Sequence, residues 1–293
     1  MPIVLGGNQY GKSETHLVRV TRAGGDGSRH EIKDINVSVA LSGDFAASHL
    51  HGDNSKIVPT DTQKNTVFAF AKEAPVGEIE EFGLRLARHF VADYAAVKRA
   101  RVTIEEYPWA RVSVEGKPHP HAFVRGGAEK RLAVVTCEQN DAWVVAGLAD
   151  LVVLKSTGSE FWGFGKDRYT TLPETTDRIL ATAVTARWRY ATTNAPWSES
   201  FEKTRRVMIE TFAGVHSLAL QQTLYSMGEA VLKARPEIAE IRLSMPNKHH
   251  FVVDLAPFGL ANENEVFYAS DRPYGLIEGT VARDDAPAEG FAW

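Results

Sequence analysis

The sequence predicts an α+β protein made of two similar units, each an antiparallel sheet with helices on one face. Alternating apolar residues mark strands, apolar residues spaced three and four apart mark helices, and the order of strands, helices and strands occurs twice. A chain of 293 residues is typical of two domains. We therefore expect one unit at residues 1–127 and a second at residues 128–293, with the boundary near Gly126 and Gly127.

The first unit begins with a predicted β-hairpin. Apolar residues alternate with polar or small ones over residues 35–41, which is the period of a strand with one buried face, and residues 17–20 resemble its partner. Residues 24–27 include three glycines and supply the turn. From Glu78 onward, apolar residues at helical spacing predict an amphipathic helix, and residues 101–114 return to the alternation of a strand.

The second unit repeats this order. Residues 132–154 are predicted to be extended, residues 201–212 and 218–232 have helical patterns, and residues 240–245 and 249–255 are predicted strands. Helices that cover only one face of each sheet leave the other face open, and such sheets tend to close or to associate. We therefore expect oligomerisation into a barrel.

Composition excludes several classes of partner. The formal net charge of -4 gives no general attraction to nucleic acid or to an anionic membrane surface. Cys137 is the single cysteine, which rules out an intrachain disulfide and a cysteine-rich metal site and fits a reducing compartment. No window approaches the roughly 18 apolar residues of a membrane span. Without a signal-like start or a Ser-Lys-Leu type of peroxisomal ending, we expect a cytoplasmic location.

One segment carries a motif much longer than the others. Residues 151–164 read Leu-Val-Val-Leu-Lys-Ser-Thr-Gly-Ser-Glu-Phe-Trp-Gly-Phe, and the pattern continues through Tyr169 and Leu172 to residues 177–180. A pattern that fixes about ten positions over nearly thirty residues is far more specific than a lone glycine motif. This segment closely resembles the signature of the urate oxidase family.

Further matches extend the resemblance over nearly the whole chain. They are Tyr10-Gly11-Lys12, Thr60-Asp61 followed by Lys64-Asn65-Thr66, residues 116–121, and Pro246-Asn247-Lys248-His249. The resemblance implies two tunnelling-fold units per subunit and a homotetramer that forms a barrel with a central tunnel and has active sites at its subunit interfaces. It also implies a reaction of purine degradation, in which urate, dioxygen and water give 5-hydroxyisourate and hydrogen peroxide without a cofactor or metal.

The resemblance also assigns substrate-binding residues. Arg178 and Gln221 hold the edges of the purine, Phe161 stacks on its face, and Asp61 and Leu220 contact it through the main chain, Leu220 standing where the family has a valine. A guanidinium offers two parallel donors to an anion, and an amide pairs a donor with an acceptor. Taken alone, Arg178 is more typical of a surface ion pair, Gln221 of a helix terminus and Phe161 of a core.

Lys12, Thr60 and His249 match the catalytic lysine, threonine and histidine of the family. Urate must lose protons before it gives up an electron, so a base is required, and a hydroxyl can relay the proton. Asn247 lies two residues before His249, so in a strand the two side chains would point to the same face of the sheet. The resemblance assigns dioxygen binding to Asn247 and Thr60.

Each of these residues also has an interpretation without catalysis. In isolation, Lys12 is an exposed residue near a terminus, Thr60 and Asp61 cap a helix, and Asn247 and Lys248 belong to a turn.

Two other functions compete with this interpretation. The sequence His119-Pro120-His121, with His249-His250 and His51, suggests a metal-dependent hydrolase acting on a purine or pterin, although no matching carboxylates accompany these histidines. Inhibition by chelators would indicate that enzyme. The second is a purine-binding protein without catalysis, which would retain the binding residues and lose the catalytic ones.

Overall fold

The structure is a computed structural model, and it describes residues 2–23 and 28–293. The chain forms two compact units. Unit 1 comprises Met1–Gly147, Arg189–Ser198 and Pro287–Trp293, and unit 2 comprises Leu148–Trp188 and Glu199–Ala286. The turn predicted at residues 24–27 lies outside the described residues.

Unit 1 is a sheet covered by helices. Its strands are β1 (Tyr10–Ala23), β2 (Arg29–Gly43), β3 (Val97–Glu106), β4 (Trp109–Val114), β5 (Lys117–Arg125), β6 (Lys130–Glu138) and the first half of β7 (Asp141–Lys155). Its helices are α1 (Ala46–His51), α2 (Thr60–Glu73) and α3 (Ile79–Asp93). The sheet order is β1-β2-β3-β6-β7, while β4 and β5 form a separate antiparallel hairpin.

The core of unit 1 lies between α3 and the sheet. Ile79, Phe82, Leu86 and Phe90 are fully buried and recur at spacings of three and four, so one face of α3 packs on β3 and β6. At Gly83 a Cβ atom would lie 2.7 Å from a methyl carbon of Val135 in β6. A glycine there allows the helix to approach the sheet closely.

Unit 2 repeats the arrangement with fewer helices. Its elements are the second half of β7, β8 (Leu180–Tyr190), α4 (Trp197–Gly214), α5 (Leu220–Ala234), β9 (Ile238–Val252), a short 3-10 helix (Ala256–Phe258) and β10 (Phe267–Ala282). The strand order is β7-β8-β9-β10. Helix α5 packs on β9 and β10, and at Gly228 a Cβ atom would lie 2.6 Å from a methyl carbon of Val281 in β10.

Most of the predicted elements are present. The hairpin is confirmed, because β1 and β2 pair antiparallel along their whole length. The helix predicted from Glu78 is α3, and the two helical patterns of the second unit are α4 and α5. The α+β class is therefore confirmed.

The prediction of two separate strands at 240–245 and 249–255 is wrong in placing a break between them. The chain forms one strand there, β9, which continues through Pro246 and Asn247 by pairing with β10. Strands β5, β8 and β10 and helices α1 and α2 were not predicted.

None of the helices in the described residues combines the length and the apolar run needed to cross a membrane.

Candidate active site

The residues proposed from the sequence fall into two groups. Lys12, Thr60 and Asp61 belong to unit 1. The group in unit 2 consists of Phe161, Arg178, Leu220, Gln221, Asn247 and His249. Each group is built by different local structure.

In unit 1, Lys12 lies at an irregularity of strand β1. The register with β2 shifts between Lys12 and Thr15, and Glu14 adopts a φ of 58° in the left-handed region. The Glu14 backbone N–H donates to the Ser38 hydroxyl at 2.9 Å. A bulge of this kind bends the strand and redirects neighbouring side chains. Lys12 is half-buried here, so its interpretation as an exposed residue near a terminus is wrong.

The residue before Lys12 has no room for a side chain. A Cβ atom on Gly11 would lie 1.8 Å from the Val39 carbonyl oxygen on the adjacent strand. Such a contact is far inside van der Waals distance, so any larger residue would separate β1 from β2. Gly11 therefore allows the close strand pairing beside Lys12.

Thr60 and Asp61 are the first two residues of helix α2. Pro59 precedes them with a φ of -53°, and no side chain caps the helix, so the interpretation of Thr60 and Asp61 as a cap is wrong. Asp61 accepts hydrogen bonds from Lys64 at 2.5 Å and from the Asn65 amide at 3.0 Å. Its side chain is thus engaged within the helix.

The pKa of Asp61 also indicates that Lys12 is nearby. The hydrogen bond from Lys64 holds the pKa of Asp61 below its usual value, and the nearby charge of Lys12 lowers it further. Lys12 is therefore close to the start of α2, which places the candidate lysine and threonine in one region of unit 1.

In unit 2, two buried serines join the segments that carry the candidate binding residues. Ser159 forms a parallel bridge with Ser217, and both are fully buried. The Glu160 N–H donates to the Ser217 carbonyl at 2.7 Å, and the Ser217 N–H donates to the Gly158 carbonyl at 2.9 Å. The Thr223 hydroxyl donates to the Ser217 hydroxyl at 2.8 Å, which fixes the first turn of α5.

Arg178 is held by the same bridge. Its backbone N–H donates to the Ser159 carbonyl at 3.0 Å, and its Nε donates to the Ser159 hydroxyl at 3.2 Å. Burial lowers the pKa of the Arg178 guanidinium, and no acidic side chain among the described residues offsets that burial. The surface ion pair considered from the sequence is therefore absent from the described residues. A half-buried cation of this kind favours an anionic ligand.

Phe161 presents a fixed ring beside Arg178. Its backbone pairs with Thr175 through hydrogen bonds of 2.8 and 3.0 Å, and its ring stacks on Phe164 at 4.8 Å. The guanidinium carbon of Arg178 lies 5.1 Å from the centre of the Phe161 ring. Phe161 is half-buried, unlike a core residue, so an aromatic surface and a cation adjoin each other.

Leu220 and Gln221 begin helix α5. Leu220 is buried, whereas the Gln221 side chain is exposed at the second position of the helix. The start of α5 is hydrogen-bonded to Ser217, which pairs with Ser159. The same pair of serines therefore connects Gln221 to the segments that carry Phe161 and Arg178.

Asn247 and His249 lie in strand β9, so the interpretation of Asn247 as a turn residue is wrong. They pair with Gly275 and Ser270 of β10, on the two sides of a register shift. Burial lowers the pKa of His249, and the charges of Arg178 and His250 lower it further. His249 is therefore close to Arg178, and a neutral imidazole is favoured there.

Sequence reasoning did not assign roles to the residues that organise these groups. Ser159, Ser217 and Ser38 were not singled out, because a serine has no chemistry that distinguishes it in a sequence. Only Ser159 had a signal, which was its position inside the long motif.

Two of the histidines considered as metal ligands, His119 and His121, lie on β5 of unit 1. The rings of His119 and His121 on β5 are 4.5 Å apart, and His30 lies 5.8 Å from His121. The Nε2 atom of His30 is 2.9 Å from the guanidinium of Arg22. In residues 2–23 and 28–293, no three His, Cys, Asp or Glu side chains are arranged to hold a metal ion.

Comparison with known proteins identifies the family. The family model described as Uricase matches residues 8–136 and 144–278. The chain is 52% identical over 291 residues to the uricase of Arthrobacter globiformis, covering 99% of this chain and 94% of that protein. It is 37% identical over 278 residues to the uricase of Dictyostelium discoideum, covering 94% and 96%.

Solved structures agree with this relationship. The crystal structure of the Arthrobacter globiformis uricase superposes with a TM-score of 0.93, over 98% of both chains. A uricase from Bacillus fastidious, only 24% identical, has the same fold with a TM-score of 0.81 over 95% of this chain and 94% of that one. The long motif, the segments that match the family model and the similarity to known uricases all agree, and the chain belongs to the uricase family.

Proposed function

We propose that this protein is a urate oxidase of purine degradation, which converts urate, dioxygen and water to 5-hydroxyisourate and hydrogen peroxide without a cofactor. The observation that carries the proposal is the half-buried Arg178, which has no acidic partner among the described residues and lies beside the Phe161 ring and near His249. A flat purine anion needs a planar cation at its edge and an aromatic ring at its face. The uricase relatives support the same substrate.

In the proposed complex, Arg178 and Gln221 hold the edges of the urate anion and Phe161 stacks on its face. The Arg178 guanidinium donates two parallel hydrogen bonds, while the Gln221 amide both donates and accepts. Asp61 and Leu220 contribute main-chain contacts. The engagement of the Asp61 carboxylate by Lys64 and Asn65 supports that role, because it keeps the side chain away from the anion.

The proposed chemistry begins with proton removal. Lys12 and Thr60 take a proton from the bound urate anion, and His249 orients the lysine as a neutral hydrogen-bond acceptor. The resulting dianion is electron-rich and transfers one electron to dioxygen. Triplet dioxygen reacts slowly with closed-shell molecules in one step, whereas single-electron transfer gives a radical pair that can recombine. Asn247 and Thr60 hold the dioxygen, and water then displaces hydrogen peroxide from the purine carbon.

The proposed assembly is a homotetramer that forms a barrel with a central tunnel. In it, Lys12, Thr60 and Asp61 come from one subunit and the binding residues of unit 2 come from its neighbour. Exposed apolar side chains on β9 and β10 support an interface there: Phe251, Tyr268 and Leu276 are 47%, 63% and 54% exposed.

Two further features of the chain belong to the proposal. Two tandem tunnelling-fold units, at residues 1–127 and 128–293, are proposed. The family model matches in two separate segments, residues 8–136 and 144–278, which supports the presence of two units. A cytoplasmic location is supported by the single cysteine, Cys137, which is buried and free.

An oxidation assay on chelated protein tests the function. Purified protein is treated exhaustively with chelator and mixed with urate in air, and urate absorbance, dioxygen uptake and hydrogen peroxide are followed. We expect an unchanged rate and equal amounts of urate lost and peroxide formed. Loss of activity that one added metal restores would favour the metal-dependent enzyme. Urate binding without any oxidation would favour the non-catalytic purine-binding protein.

A further inference from the structure

A tyrosine links the strand that carries Lys12 to the segment that leads into Thr60, the first residue of α2. The hydroxyl oxygen of Tyr10, on β1, accepts a hydrogen bond from the Val58 backbone N–H at 2.8 Å. Tyr10 lies two residues before Lys12, and Val58 lies two residues before Thr60. Two residues of extended chain span about 6.6 Å, so this bond is close to both candidate catalytic side chains.

Val58 is also held from its other side. The Gln63 amide nitrogen donates to the Val58 carbonyl at 3.1 Å, and the Gln63 backbone N–H donates to the Pro59 carbonyl at 3.1 Å. Gln63 is fully buried, and Val58 is 3% exposed. These two hydrogen bonds from Gln63 fix the segment that leads into Thr60.

The ring of Tyr10 is fixed as well. It packs edge-on against Phe45 with ring centres 4.8 Å apart, and Phe45 is buried. Burial raises the pKa of Tyr10, which keeps the phenol neutral. The hydroxyl is therefore a stationary acceptor rather than a mobile surface group.

We infer that Tyr10 is a positioning residue for the reaction, because its hydroxyl and the Gln63 amide together hold Thr60 at a fixed distance from Lys12. Neither residue touches urate in the proposed complex, and the inference rests on the proposed function. A proton relay between an amine and a hydroxyl depends on hydrogen-bond distance, so a displacement of about 1 Å is sufficient to slow it strongly.

A double-mutant cycle tests this role. Tyr10→Phe removes the hydroxyl and keeps the ring on Phe45, and Thr60→Val removes the hydroxyl that Tyr10 is proposed to position. We expect Tyr10→Phe to lower kcat for urate oxidation by about tenfold or more, with KM changed less than about twofold. In the Thr60→Val background, the same change should have almost no further effect, because the group it positions is gone.

Tyr107→Phe is the matched control, since the Tyr107 hydroxyl donates to Glu105 at 3.1 Å in the same unit. It should match the parent. If Tyr10→Phe has the parent's kcat, or lowers kcat by the same factor with and without Thr60, the inference is overturned. If the Tyr10→Phe protein does not fold, Gln63→Met can be used instead, because it removes the other hydrogen bond to Val58 with a side chain of similar volume. The same two outcomes would then overturn the inference. A parent protein that does not oxidise urate would instead contradict the proposed function itself.

Discussion

At the scale of single residues, Arg178 has the most specific requirement. We expect Arg178→Lys to raise KM for urate severely, because a point ammonium cannot donate two parallel hydrogen bonds along one edge. The loss should correspond to about 2 to 5 kcal/mol if the anion stays buried. Steady-state kinetics measure this effect. Arg168→Lys, at an exposed position in the same segment, is the control and should match the parent. A near-normal KM for Arg178→Lys would exclude the assignment.

In the proposed mechanism, we expect His249 to make the reaction depend on acid. Burial, Arg178 and His250 hold the pKa of His249 below its usual value of 6.5, so the imidazole stays neutral as the pH falls through 6.5. It accepts a proton only at lower pH, and a protonated His249 can no longer accept a hydrogen bond from Lys12. We therefore expect kcat/KM, which reports the unliganded protein, to fall only at pH values below 6.5.

The pH profile of kcat/KM for urate oxidation measures this behaviour. His249→Gln keeps an acceptor that does not titrate, so the acid decline assigned to His249 should disappear. His51→Gln, at an exposed position, should leave the decline in place. A decline that begins above pH 6.5, or one that survives His249→Gln, would mean that another group is titrating.

The candidate site was predictable at the residues that a long motif fixes. Phe161 and Arg178 lie in the segment from 151 to 180, where many positions agree at once, and the structure brings their side chains together. The bonds that hold them were not predictable, because Ser159 and Ser217 are distant in sequence and meet only through the fold. Lone polar residues give no signal of such long-range pairing.

At the scale of elements, the two units share a device for packing a helix on a sheet. Gly83 in α3 and Gly228 in α5 each face the methyl group of a valine. A Cβ atom at either glycine would lie too close to that methyl group. We expect Gly228→Ala to lower the thermal midpoint. Alanine favours the helix by about 1 kcal/mol, but overpacking typically costs about 1 to 3 kcal/mol.

Thermal unfolding at a fixed protein concentration checks this expectation. Gly214→Ala is the control, because a Cβ atom there would meet nothing within 4 Å. It should leave the midpoint unchanged or raise it. A Gly228→Ala protein as stable as the parent would show that α5 can move away from β10 at no cost.

Two of the elements missed from the sequence, α2 and β10, have weak or contradictory patterns. Helix α2 buries only Gln63, Val67 and Ala71, so it has little apolar periodicity. Strand β10 is mostly exposed and contains Pro273, which argues against a strand when read locally. Helices α3 and α5 were predictable because their buried faces are broad and apolar. Pairing between distant strands decides the remaining elements, and a single sequence does not reveal it.

At the scale of the whole molecule, the two groups of candidate residues belong to different units of one chain. Lys12 and Thr60 supply the proposed proton relay from unit 1, and Arg178 and Phe161 supply the proposed urate contacts from unit 2. We propose that a complete site takes one group from each of two subunits. A chain lacking either group would then be inactive alone but able to complement the other.

Subunit mixing tests this central claim most directly. Lys12→Ala and Arg178→Ala proteins, each inactive, are mixed in equal amounts under conditions that exchange subunits, and urate oxidation is measured. Random assembly should give about one quarter of interfaces with both groups intact, so activity should return to about a quarter of the parent's. If mass measurement confirms that the subunits have mixed and no activity returns, the site is built within one subunit and the proposed assembly is wrong.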